Sequence, residues 1–251
     1  MELKIISFNI RNRDDPDGHS VAERAPRLAE AVKPYDADII GFQEHKPMWE
    51  PYLDRYFSAE YGMFNKYRDT VEKPEAAPIF WKKDKFELLR TGYFWLSDTP
   101  EEESRGWDIK PYKRMCEYVI LRHRESGKEF TYMNTHFGFG DDCQIKSARL
   151  ITEYAKRISD LPTFVTGDFN MYTSSLGYAE MTKYFTDVNA VTSKDMRATF
   201  HGYAPEKYPN SHIDYCFTDA KVKPLCRELI DKTFEGKYPS DHYGLFIKLE
   251  I

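Results

Sequence analysis

The sequence predicts a single α/β domain in which sheet packs on sheet and helices cover the outside. Three observations carry that prediction. Many short apolar stretches have the length and alternation of strands, and several close on polar residues. Few segments have helical period, but Asp141 to Ile158 is one, with Ile145, Ala148, Leu150, Ile151, Tyr154, Ala155 and Ile158 on a broad apolar face. No Gly/Ser/Pro tract, low-complexity run or short repeat divides the 251 residues.

Lys4 to Asn9 alternates and reads as a half-buried strand. A polar loop follows from Arg11 to His19. Ser20-Val-Ala-Glu23 has the form of a capping box, in which the serine oxygen and the glutamate satisfy free helix N–H groups. Pro26 suits a first helical turn better than an interior. The main helix is therefore expected from near Ala25, with Leu28, Ala29 and Val32 inward. Asp38 to Glu44 is the next strand. Ala76 to Lys82 and Phe86 to Leu96 are expected to pair around Lys83-Asp-Lys. Thr99 to Met115 is a long polar loop, which in a compact domain is usually functional or disordered. Cys116 to His123 and Phe130 to His136 read as a hairpin around Arg124-Glu-Ser-Gly-Lys. After the Asp141–Ile158 helix come a buried strand from Thr163 to Asp168 and a short helix near Leu176 to Tyr184. Ile213 to Phe217 and Tyr243 to Leu249 are the closing strands.

Composition narrows the function classes. Hydrophobic residues make up 41% and charged residues 31%, as in soluble globular domains. No apolar run approaches the roughly 20 residues needed to cross a bilayer. The first residues read as a strand, without a basic segment and long apolar core, so no signal peptide is expected. A net charge of −5, with no basic stripe, argues against a general duplex-DNA binder and leaves a local basic groove open. Cys116, Cys143, Cys216 and Cys226 lack Cys-x-x-Cys spacing. They read as small buried thiols in a reducing, cytoplasmic compartment.

The chemistry-bearing residues sit at strand ends. Asn9 supplies an amide that either caps a turn or contacts a hard cation or phosphate without adding charge. Glu44 supplies a carboxylate suited to Mg²⁺ or Mn²⁺. His136, before the flexible-looking Phe137-Gly-Phe-Gly, offers an imidazole to a phosphate oxygen. Gly167-Asp168-Phe-Asn170 places Asp168 and Asn170 two apart, so an extended segment points both one way and Phe169 to the core. A carboxylate and an amide on one side suit a water and the phosphate it attacks. Asp214 is a partner able to orient His242, with Asp241 toward a metal. His212 reads as a surface or packing residue.

The ordered set Phe8-Asn9, Gln43-Glu44, Asn134-Thr-His136, Gly167-Asp168-Phe-Asn170, Ile213-Asp214-Tyr215 and Ser240-Asp241-His242 resembles the endonuclease/exonuclease/phosphatase superfamily. Each motif is weak alone, but six in the right order span nearly the whole chain. Phe94-Trp-Leu-Ser-Asp-Thr-Pro100 and Gly106-Trp107-Asp108 resemble a compact bacterial branch. The resemblance implies a four-layer α-β-β-α sandwich, two mixed sheets packed face to face with helices outside. It implies Glu44 as principal metal ligand, with Asn9 and Asp241 near the same Mg²⁺ or Mn²⁺. Asp168 orients or deprotonates water, Asn170 holds water and phosphate, and His136 and His242 bind phosphate oxygens, His242 being oriented by Asp214. Arg114 resembles a phosphate-contacting arginine. Either Asp168 or His242 is the base, and these residues demand only one metal.

The expected function is metal-dependent hydrolysis of phosphoesters, as a phosphodiesterase or phosphatase, by a monomer acting on a small molecule or single-stranded nucleic acid. One alternative is a nuclease on single-stranded or terminal nucleic acid. Another is a non-catalytic binding module on the same fold, which should have lost the metal and water-activating groups that this chain retains. In the long loop, Glu101-Glu-Glu103 would repel a polyanion bordering the site, whereas Lys110, Lys113 and Arg114 would attract one. Trp95 and Trp107 either stack a base or sugar or pack in the core.

Overall fold

The computed structural model describes residues 1–251. One six-stranded sheet runs β11 (Lys223–Ile230), β12 (Gly244–Glu250), β1 (Glu2–Asn9), β2 (Ile39–Gln43), β4 (Ile79–Lys82) and β3 (Tyr61–Phe64). The other runs β5 (Phe86–Trp95), β6 (Met115–His123), β7 (Glu129–His136), β8 (Thr163–Asp168), β10 (Asp214–Thr218) and β9 (Thr186–Asp187). Both are mixed: β1 lies parallel to β2 and β7 parallel to β8, and the other pairs are antiparallel.

The sheets pack face to face, and helices cover the outside, as expected for the sandwich. Ile5, Ile39, Leu121, Phe130 and Phe164 meet in the cluster between the sheets. Leu28 and Val32 of α1 (Val21–Val32) and Leu53 and Phe57 of α2 (Glu50–Phe57) cover Ile6, Phe42 and Phe80. Ala148, Ile151 and Ala155 of α3 (Asp141–Ile158), with Met181 of α4 (Leu176–Met181), cover Met133, Val165 and Phe217. Each buried Val, Leu, Ile, Met or Phe side chain among them contributes roughly 1.5–3 kcal/mol. A short α5 (Val188–Val191) follows β9. No helix is long and apolar enough to cross a membrane.

Two expectations about elements are corrected. The capping box is present, and α1 begins directly after it at Val21, so Pro26 lies inside the helix rather than in its first turn. Proline deprives the Ala22 carbonyl of its helical donor, and Ala22 is exposed, so that carbonyl is not left in the core. The segments around Lys83-Asp-Lys do not pair with each other. β4 pairs with β2 and β3, β5 pairs with β6, and the turn carries the chain from one sheet to the other. Trp81 and Phe86 enter the same central core from opposite sheets, which a hairpin would not allow.

A polar bridge links the sheets beneath the strand ends. Gln43 Nε2 donates to Asn134 Oδ1 at 2.8 Å and to Ser7 Oγ at 3.1 Å. Asn134 Nδ2 donates to the Phe42 carbonyl at 2.8 Å, and Thr166 Oγ1 donates to Asn134 Oδ1 at 3.2 Å. Gly41 makes the approach possible, since a Cβ there would stand 2.1 Å from the Tyr132 hydroxyl and 2.8 Å from Asn134. The bridge sets the distance between Glu44 on one sheet and His136 and Asp168 on the other.

Candidate active site

The two parallel pairs deliver their polar ends to one place. β1 ends at Asn9 beside Gln43 of β2, and His136 of β7 stands in register with Asp168 of β8. The chain then turns sharply: Arg11, Glu44 and Asn170 adopt φ of 61°, 63° and 48°. Left-handed backbone costs non-glycine residues free energy and collects at functional sites. Asn170 is therefore not extended from Asp168, as expected from its spacing. The Asp168 carboxylate instead accepts the Asn170 backbone N–H at 2.9 Å, and Phe169 is buried as expected.

These ends open into a cleft of 710 Å³ lined by Glu44, His136, Asp168, Asn170, Asp241 and His242. Asp168 Oδ2 lies at its centre, accepting from Asn9 Nδ2 at 3.0 Å, 3.5 Å from His136 Nε2 and 3.8 Å from His242 Nε2. His242 Nδ1 contacts Asp214 Oδ2 at 2.9 Å. Burial works against a charged imidazole, but Asp214, Asp168 and Asp241 outweigh it and push His242 up to about 10. These carboxylates favour the form of His242 protonated on both nitrogens. Burial, then the Asp214 charge, pushes Asp168 up to about 7.

Glu44 accepts from Asn9 Nδ2 at 3.3 Å and from the Asn12 backbone N–H at 2.9 Å. Burial and the charges of Glu75 and Asp241 hold its carboxyl above the usual range. Asp241 Oδ2 is 3.4 Å from Arg11 Nη1, and the other nitrogens of Arg11 hold Asp15. Glu44 and Asp241 crowd negative charge, which a hard dication relieves, and the Asn9 Oδ1 that could join them accepts the Arg11 N–H at 3.0 Å. The donor set therefore fits Mg²⁺ or Mn²⁺. Asp168, Asp214 and His242 also bring ligand atoms within 4.8 Å of one another and could hold a metal.

Asn170 Nδ2 donates to the Phe137 carbonyl at 3.0 Å and contacts His136 Nε2 at 3.1 Å. His136 Nε2 is thus the acceptor, and the ring proton sits on Nδ1, 3.5 Å from Glu75 Oε1. Burial and Arg114 hold His136 below its usual range. Arg114 Nε donates to Asp108 at 2.8 Å, and its buried Nη1 has no partner. That spare donor, at the edge of the cleft, suits an anion. His212 is buried rather than superficial, with Nδ1 3.1 Å from the Arg197 carbonyl, and stays outside the cleft.

The sequence reading missed Glu75 and Arg68. Glu75 binds Arg68 Nη1 at 2.5 Å and Asn12 Nδ2 at 2.7 Å, and both residues line the cleft. They sit on an aperiodic connection that carries no pattern. Buried Glu117 ties this connection down, accepting Lys66 N–H at 3.1 Å and Ala77 N–H at 2.9 Å. The glutamates of the long loop do not line the cleft: Glu101 binds Tyr154 and Arg157, and Glu103 binds Thr70 and Lys113. Trp95 is buried and Trp107 bonds Asp98, so neither reaches the substrate space. Tyr112, Phe139, Tyr172, Phe200 and Tyr208 are its aromatic residues instead.

With this geometry in place, the sequence model of the endonuclease/exonuclease/phosphatase family matches residues 6–242. The chain belongs to the endonuclease/exonuclease/phosphatase family. Members of this family hydrolyse phosphoester bonds and are generally dependent on a divalent metal, and phosphoester hydrolysis fits the site. A family protein from Bacteroides thetaiotaomicron superposes with a TM-score of 0.91 at 27% identity, covering 99% of this chain and 97% of that one. A mannosyl-6-phosphatase of the same organism gives 0.88 at 28% identity, covering 99% and 100%. The 3'-5'-exoribonuclease subunit Ccr4 of Kluyveromyces lactis is 20% identical over 91% of this chain, which spans only 37% of that protein.

Proposed function

We propose that this chain is a Mg²⁺- or Mn²⁺-dependent phosphatase or phosphodiesterase for small phosphoesters, with Glu44, Asn9 and Asp241 holding the metal. The carrying observation is the position of Asp168 Oδ2 between Asn9 and two imidazoles. When bound, the metal supplies Lewis-acid polarisation of a phosphoryl oxygen. With neighbouring carboxylates favouring its charged form, His242 serves as donor and Asp168 as the base. A carboxylate near neutrality is well matched to take a proton from water. The water oxygen bonds phosphorus, the ester P–O bond breaks, and the leaving oxygen takes a proton. Asp214 keeps His242 oriented and charged. Arg114 holds a phosphate oxygen through its unpartnered Nη1, and Asn170 and His136 do so once the substrate replaces the contact between them and the His136 proton moves to Nε2.

The small-ester preference is supported by the full-length likeness to a mannosyl-6-phosphatase. A second reading, hydrolysis of single-stranded nucleic acid, is favoured by Phe139, Tyr172 and Tyr208, exposed aromatics at the cleft on which bases could stack. Four unpaired cysteines support a reducing, cytoplasmic setting.

A panel of phosphoesters with Mg²⁺ and Mn²⁺ tests this reading. Activity should disappear in chelator, and Glu44→Gln should raise the metal concentration needed by about tenfold or more. Undiminished hydrolysis in chelator would rule the proposal out.

A further inference from the structure

We propose that Tyr172 and Tyr208 form a leaving-group subsite for a neutral, polyhydroxylated ring, as in a monosaccharide phosphate. This rests on the phosphoester-hydrolase reading of the adjoining cleft. A second hollow of 470 Å³ abuts that cleft, and Tyr172, Tyr208 and Ser211 line both. Tyr172 follows Asn170 by two residues, and Ser211 precedes Asp214 by three. The hollow therefore opens where β8 and β10 present their catalytic side chains.

Both rings are exposed, Tyr172 at 51% and Tyr208 at 40%. Tyr208 is nevertheless held in place. Its ring packs edge-on against Phe200 at 4.9 Å, and Phe200 packs edge-on against His242 at 5.0 Å. Aromatic contact thus runs unbroken from the hollow to the imidazole that faces the phosphate. Gly202, at φ +53°, lets the ring lie close to the backbone, since a Cβ there would stand 2.8 Å from it. A fixed, half-exposed ring loses little freedom when a ligand stacks on it.

The remaining lining selects the class of ligand. Thr173, Ser174 and Asn210 offer hydroxyl and amide groups, and Lys207 is the one charged residue. A nucleic-acid track needs repeated cations to neutralise successive phosphates. Cations instead concentrate in the cleft, at Arg11, Arg13, Lys46, Arg68, Lys73 and Arg114. A neutral polyol ring uses what the hollow has: hydroxyls pair with Thr, Ser and Asn, while a C–H face rests on tyrosine. The single phosphate then reaches the cationic cleft.

Calorimetry on the Mg²⁺-loaded Asp168→Asn chain would compare glucose 6-phosphate with glycerol 3-phosphate, which has no ring. The hexose phosphate should bind more tightly. The ratio of the two affinities should fall about tenfold in Tyr208→Ala and in Tyr172→Ala, the loss of one stacked ring. Tyr208→Phe keeps the ring and should keep the ratio. Equal binding of the two esters overturns the subsite, as does a ratio that survives both alanine substitutions or is lost in Tyr208→Phe. Tighter binding of a single-stranded oligonucleotide overturns the neutral-ring assignment. If the wild type hydrolyses no phosphoester with either metal, the hydrolase reading fails, and the calorimetric ratio still judges the subsite.

Discussion

Two imidazole–carboxylate pairs flank Asp168, and their surroundings push the two imidazoles in opposite directions. His242 meets Asp214 at 2.9 Å, with Asp168 and Asp241 adding their charge, and is pushed up to about 10. His136 stands 3.5 Å from Glu75, and burial together with Arg114 holds it below the usual imidazole range. Glu75 is the weaker partner because it also binds Arg68 and Asn12. The same two functional groups thus give a proton donor on one wall and a neutral ring on the other. The difference lies in the charges behind each pair, further carboxylates behind His242 and arginines behind His136 and Glu75.

The largest expected effect comes from removing the group between the pairs. Asp168→Asn should lower turnover by about 10²-fold or more, within the range for losing a positioned base, with the circular dichroism spectrum unchanged. Wild-type turnover in that variant would place the base elsewhere.

Asp214→Asn breaks one pair only. Turnover should fall by roughly 10–100-fold through the loss of orientation. In the metal-free chain, the NMR titration midpoint of His242 should drop from about 10 toward the ordinary 6.5. The His136 midpoint should stay where it is, and a joint shift would show that the pairs are not separate.

Arg114→Met tests the other wall. The His136 midpoint should rise, because a cation that disfavours its charged form is gone. KM should rise about tenfold with the loss of one charged phosphate contact. An unchanged midpoint would mean that burial alone keeps His136 neutral.

The smallest effect sharpens the comparison with an imidazole that has no carboxylate hydrogen-bond partner. Burial lowers His212 from 6.5 to about 4. The unfolded chain takes up this proton below 6.5, while the folded chain refuses it until about 4. The stability held above 6.5 is therefore lost as pH falls toward 4. His212→Asn keeps a donor for the Arg197 carbonyl. It should flatten that decline by about 1.4 kcal/mol per pH unit in denaturant titrations across this window. An unaltered slope would mean that His212 titrates normally.

The strand ends could be read locally because their signals are local. Alternation marks β1, β2, β7 and β8, and each carries its polar residue at or beside the C-terminal end, where side chains leave the core. The Asp141–Ile158 helix was legible from its period alone. The region from 47 to 78 was not. α2 and β3 are short, and Arg68 and Glu75 lie on a connection whose shape depends on Glu117, far along the chain. The β4–β5 turn misled because a three-residue link between strands resembles a hairpin, whereas the choice of sheet depends on what each strand packs against.

By itself the sequence determined the layered architecture, the family and the identity of Asn9, Glu44, His136, Asp168, Asn170, Asp214, Asp241 and His242 as one ordered set. Periodicity and residue chemistry are properties of the chain before it folds. The tertiary structure alone decided the left-handed turn at Asn170, the direction in which each imidazole is pushed and the recruitment of Glu75 and Arg68. Charge states follow from burial and from neighbours that fold into place from distant segments. Those terms do not exist until the two sheets close around the cleft.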